Sequence, residues 1–168
     1  MDVERFLHAK APHLHLLVAT PSTASDLMWS WQQTEGKRVA VRALRGNKMA
    51  TAARLFDEFA AALQFPYYFG ENWDAFDECL RDLEWLEADA YVIVITHAQQ
   101  VLDCEPPEEL QLFFKLLEAT AREWGDPKEH DSKGPPKPFH VVLQCTEEEV
   151  PAVKARLKAA GARADLLG

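Results

Sequence analysis

Apolar residues recur along this chain in two patterns: short β-branched runs and longer stretches with helical spacing. Residues 38–44 (RVAVRAL) alternate as a strand does and end at the turn dipeptide Gly46-Asn47. Residues 91–96 (YVIVIT) form a continuous apolar run, the pattern of a strand covered on both faces. Residues 139–145 (FHVVLQC) give a third strand, apolar through its middle. Helical spacing predicts helices over 51–63, with Leu55, Phe56, Phe59 and Leu63 aligned, and over 108–124, with Leu110, Phe113, Leu117 and Trp124 aligned. Between them, Phe65-Pro66 stops the first helix, because the residue before proline disfavours helical geometry. A further helix is expected over 71–83. Residues 126–138 hold four of the ten prolines and read as a loop.

The flanks are less regular. Residues 1–36 read as an N-terminal extension: a helix-like start, an apolar stretch over 14–19, and a short helix over 25–33 with Leu27, Met28 and Trp31 on one side and Gly36 as its stop. At the other end, Thr146 and Glu149 fit a capping box, while Pro151 fits a first helical position; either start is compatible with a helix that buries Val153 and Leu157 and stops at Gly161. The order is therefore β-α-α-β-α-β, an α/β domain over 37–145 built on a small three-stranded parallel sheet packed by helices. Helical extensions over 1–36 and 146–168 flank it. Three strands are too few for a dinucleotide-binding fold, and no glycine fingerprint follows any of them.

Length and composition are those of a globular protein: 168 residues, 48% hydrophobic and 27% charged. No apolar run approaches the roughly 18–20 residues that span a bilayer. The start Met1-Asp2-Val3-Glu4 is acidic, unlike a signal peptide, which places the chain in the cytoplasm. Cys79, Cys104 and Cys145 form no CxxC pair and read as reduced thiols. A net charge of −9 argues against direct nucleic-acid binding, which needs a basic surface, and favours cationic partners.

The informative stretch is 65–86, FPYYFGENWDAFDECLRDLEWL. At about 100° per residue, Trp73, Phe76, Leu80 and Leu83 share the side that must be buried. Glu71, Asp74, Asp77, Glu78 and Asp82 fall opposite, with Arg81 the sole cation among them. Tyr67, Tyr68 and Phe69 stand just ahead. The helix dipole accounts for acids in the first turn. It does not account for Asp77, Glu78 and Asp82, where like charges three or four apart repel by roughly 0.2–0.5 kcal/mol per pair. On the residues alone, a solvated face and a face awaiting a cationic partner both remain open.

The run Pro66, Tyr68, Gly70-Glu71-Asn72, Asp74-Ala75, Cys79-Leu80 resembles the motif of the barstar family of ribonuclease inhibitors, and the order of flanking elements from Lys37 to Cys145 is similar. The resemblance implies that this loop and helix plug the active site of a guanyl-preferring ribonuclease, with acidic side chains in the place of substrate phosphate. By motif position, Tyr68 matches the loop aromatic that packs against the enzyme's catalytic histidine, and Asp74 an acidic contact near the helix start. Glu78 falls where the family has its dominant aspartate, one methylene longer. Asp77 stands at a family tryptophan and Trp73 at a leucine. A further acidic contact is expected from the third helix, at Glu118 or Glu123. The implied partner-binding residues are thus Tyr68, Asn72, Trp73, Asp74, Asp77, Glu78 and Glu118.

Other constellations are weaker. His13-x-His15 with His8 lacks a third ligand at a recognised spacing, His97 with Asp103 and Cys104 is no better, and Asp74, Asp77 and Glu78 on one helix face give poor cation geometry. No G-x-S-x-G or comparable nucleophile motif is present. Trp29, Trp31, Trp85 and Trp124 read as packing residues. The expectation is a non-enzymatic inhibitor without metal or cofactor, monomeric when free, that binds a cationic barnase-like ribonuclease or related toxin nuclease as an antitoxin or immunity factor. The alternative is a module of the same fold with a non-nuclease partner.

Overall fold

In a computed structural model, residues 3–126, 128 and 134–168 are described. In chain order the elements are β1 (Leu14–Val18), α1 (Pro21–Gln32), β2 (Val39–Arg45), α2 (Ala52–Leu63), α3 (Trp73–Asp82), β3 (Ala90–Thr96), α4 (Pro107–Gly125), β4 (Phe139–Cys145), α5 (Val150–Ala159) and β5 (Asp165–Leu166). Residues 127 and 129–133 of the loop expected over 126–138, and the first two residues of the acidic start, lie outside the described residues.

The sheet has five strands rather than the expected three, in the order β2-β3-β4-β1-β5, with every pairing parallel. The two additional strands come from the segments flanking 37–145. All seven residues of β4 are buried. As an edge strand, β4 would leave a row of buried backbone donors and acceptors without partners. β1 supplies them, with Leu14 opposite Val141 and Val18 opposite Cys145. The pattern of β1 was obscured by His15, a buried polar residue within a five-residue strand. The two residues of β5 are too few for any periodicity to show.

Between β1 and β2 the chain moves in one direction across the sheet; from β2 onward it moves back. If every crossover keeps the same hand, α1 must cover one face and the later helices the other. The cores divide accordingly. Ala24 and Trp31 of α1 pack with Phe6, Val92, Val94 and Val142. Residues of α2, α3, α4 and α5 pack with Tyr91, Ile93, Ile95 and Leu143 on the opposite face.

Helix ends explain most differences in boundary. Thr20 accepts a hydrogen bond from the Thr23 N–H at 3.2 Å, and Pro21 fits the first helical position, so α1 begins four residues before the expected start. At the C-terminal end both expected starts are used. The Thr146 N–H donates to Glu149 Oε2 at 2.8 Å across a single 3-10 turn that runs directly into α5. Trp31 and Trp124 are buried and Trp85 half-buried, but Trp29 is 67% exposed, since two residues along α1 carry it away from Trp31's inward side. Cys79, Cys104 and Cys145 are free thiols, the first and last of them buried. Among the described residues, no helix is long and apolar enough to cross a membrane.

The second core holds a buried histidine pair. His140 Nε2 donates to the His8 carbonyl at 2.8 Å, which leaves Nδ1 as an acceptor for His15 Nε2 at 3.0 Å. The Phe6 ring meets His15 edge-on at 5.4 Å and closes the site. Burial, then the neighbouring His140, pushes His15 down to about 3; burial pushes His140 down to about 4, against the raising effect of its bond to His8. Both rings stay neutral in the folded chain but protonate near 6.5 when unfolded. The unfolded state therefore binds more protons below that pH, and stability falls as pH falls from about 6.5 towards 4. Each histidine contributes a slope of about 1.4 kcal/mol per pH unit in the lower part of that window. Urea unfolding between neutral pH and pH 5 should show this loss, and His15→Leu should make it shallower; identical slopes in the two proteins would refute the assignment.

Candidate protein-binding surface

The acidic helix and the loop before it are fixed from beneath by aromatic rings. Helix α2 ends at Gln64, which takes a left-handed φ of 54°. The following turn is closed by the Phe69 N–H donating to the Pro66 carbonyl at 2.9 Å. Phe65 and Phe69 meet nearly at right angles at 5.0 Å, and Phe69 also contacts Phe56 at 6.0 Å. With these two rings facing inward, the residues between them face out: Tyr67 is 101% exposed and Tyr68 69%.

Asn72 starts α3. Its Oδ1 accepts from the Ala75 N–H at 2.9 Å and its Nδ2 donates to the Gly70 carbonyl at 3.1 Å. This cap sets the helix start at Trp73, two residues later than expected, and leaves Glu71 in the loop with φ 50°. Phe76, Cys79 and Leu80 face the core, while Asp74 and Glu78, one helical turn apart, are exposed. Burial, then the carboxylates of Asp82 and Glu78, pushes the Cys79 thiol up, so it remains protonated.

Two of the acids expected on the open face are only half-exposed: Asp77 and Asp82. Asp77 Oδ1 accepts from Arg81 Nε at 2.8 Å, and the same guanidinium is paired with Glu123 of α4. Trp73 turns towards α4, where its Nε1 donates to Glu109 Oε2 at 2.7 Å, and its ring meets Phe56 at 4.9 Å. Trp124 Nε1 donates to the Leu80 carbonyl at 2.9 Å. These side-chain contacts bind α3 to α4.

Tyr68, Asn72, Trp73, Asp74, Asp77 and Glu78 lie together along this loop and helix. Glu118 does not join them. It lies nine residues after Glu109 on α4, about half a turn around the helix, and lines a groove of about 230 Å³ with Lys115 and Ala160–Ala162. Glu123, the other expected acid of the third helix, faces α3 through Arg81. Among the described residues, no group of three or more His, Cys, Asp or Glu side chains is arranged to hold a metal ion. Sequence reasoning passed over Tyr67, Glu109 and the Arg81 bridge. The pair of tyrosines enclosed between Phe65 and Phe69 was the available signal for Tyr67; the contacts with α4 left no local trace.

The family model described as Barstar (barnase inhibitor) matches residues 39–144, well over half of the chain. The chain belongs to the barstar family. The match begins at the first residue of β2 and ends one residue before the end of β4, so β1, α1, α5 and β5 lie outside it. A search of curated proteins returned no match. The description that goes with this family is that of an inhibitor.

The Asn72 cap supplies the N-terminal hydrogen bond of α3, so Asn72→Ala should lower stability by about 1 kcal/mol. Chemical denaturation would measure this, and an unchanged midpoint would show that the cap contributes nothing.

Proposed function

We propose that this barstar-family chain inhibits a cationic ribonuclease by occluding its active site with the 66–78 loop and helix. The observation that carries this reading is the side-by-side exposure of Tyr68, Asp74 and Glu78 on a backbone held rigid from below. A ribonuclease site is built to hold phosphate and offers guanidinium and ammonium donors. Carboxylates accept strong charged hydrogen bonds from such donors, and an arginine can grip one bidentately. Occupancy alone blocks the enzyme, so no chemistry is required of the inhibitor. A net charge of −9 would draw a basic enzyme in. The 37–145 region carries the binding surface in this reading, and the protein acts in the cytoplasm of the producing cell as an antitoxin or immunity factor, monomeric until it meets its target.

One departure bears on the target. Asp77, at a family tryptophan position, is committed to Arg81. This favours a partner whose surface differs from barnase at that point, and a non-nuclease partner is the second reading.

Isothermal titration with a basic microbial ribonuclease at low and high salt tests the proposal. Tight, salt-sensitive and metal-independent binding is expected. Asp74→Ala and Glu78→Ala should each weaken it by roughly 10- to 150-fold, the value of a charged hydrogen bond, whereas Glu118→Ala should have little effect. Wild-type affinity in both variants would refute the site; no binding to any such nuclease would favour the non-nuclease partner.

A further inference from the structure

We infer that the Tyr67 ring, beside Tyr68, is a stacking face for an arginine guanidinium of the cationic partner and selects arginine over lysine. The inference rests on the inhibitor reading and extends it to a residue outside the expected contacts.

Tyr67 has no packing role that accounts for it. It is fully exposed, and its ring touches that of Tyr68 at 5.7 Å with the planes 78° apart. The loop beneath is pinned by the Phe65–Phe69 contact and by the Pro66–Phe69 turn, so the two tyrosines are displayed on a fixed backbone. Ordering is largely complete before a partner arrives, which reduces the entropic cost of using these rings in an interface. Tyrosine is a common interface residue because it offers a broad apolar face and a polar tip.

Charge identifies the occupant. Glu71 and Asp74 follow within seven residues of Tyr67 and are exposed, as is Glu78 one turn further along α3, so a group that approaches the tyrosines also meets negative charge. A neutral aromatic occupant would gain nothing from those carboxylates, and an anionic one would be repelled. Between the two cations, the planar and weakly hydrated guanidinium stacks on an aromatic face while still donating to a carboxylate. An ammonium is a compact, strongly hydrated charge that uses the carboxylates alone.

The test pairs two probes. Hexa-arginine and hexa-lysine peptides are titrated into wild type, Tyr67→Ala and Tyr67→Phe, and barnase is titrated into the same proteins and Glu78→Gln at low and high salt. Wild type and Tyr67→Phe should show a preference for hexa-arginine about 2- to 5-fold larger than that of Tyr67→Ala, the value of a cation–π contact at an exposed ring. Tyr67→Ala should also release barnase faster with an unchanged salt dependence, whereas Glu78→Gln should flatten it. Because the Tyr67 side chain is wholly exposed, thermal unfolding of Tyr67→Ala should match wild type, which removes misfolding as an explanation. Equal affinity of wild type for the two peptides, or an arginine preference undiminished in Tyr67→Ala, overturns the inference. Failure of wild type to bind barnase or any other basic microbial ribonuclease counts against the inhibitor reading instead, so the two failures are distinguishable.

Discussion

The ring of Phe76 is fully buried and meets Phe59 at 4.9 Å and Trp73 at 5.5 Å, both close to perpendicular. Phe113 of α4 lies against the same group. These ring contacts join α2, α3 and α4, and the outward half of α3 depends on them. A helix of ten residues is marginal alone in water. Once its apolar stripe is committed to the aromatic cluster, its rotation is fixed and Asp74 and Glu78 must point away. Phe65 and Phe69 extend the same packing under the loop. The binding surface is thus the reverse side of a core.

Charge on that surface is divided by the tertiary structure. Arg81 draws Asp77 and Glu123 into one bridge between helices, which relieves repulsion where α3 meets α4. Glu71, Asp74 and Glu78 are left facing water, where a partner's cations can reach them. The pairing is also mechanical. With Trp73 held by Glu109 and Trp124 held by the Leu80 carbonyl, α3 is attached along its length and cannot tilt when a partner binds.

The opposite face of the sheet answers a different demand. Strand β4 is buried throughout and needs a neighbour on each side, which the flanking segments provide through β1. The same pairing brings His15 against His140 beneath Phe6. Two neutral imidazoles then share one hydrogen bond in a site that excludes their charged forms, and the second nitrogen of His140 is held by the His8 carbonyl. The region matched by the family model supplies β2, β3 and β4, from one edge of the sheet to its centre, and β1 from the flanking segment covers the side of β4 that this leaves open.

Local chemistry made much of this legible in the sequence. β-Branched runs marked β3 and β4, helical spacing marked α2, α3 and α4, and the Gly70-Glu71-Asn72 motif marked the loop and cap. The side of α3 that carries Asp74 and Glu78 followed from its apolar stripe. What escaped depended on partners distant in the chain. Residues 14–18 form a strand because β4 requires one, and two residues form β5 because β1 has a free edge. Asp77 is withdrawn from the open face because Arg81 reaches Glu123, and Glu118 is placed on the far side of α4 by that helix's own rotation. Periodicity and capping act over a few residues and are written in the order of the side chains. Pairing across a sheet and ion pairing between helices are chosen only when the chain closes on itself, and there the tertiary structure decided.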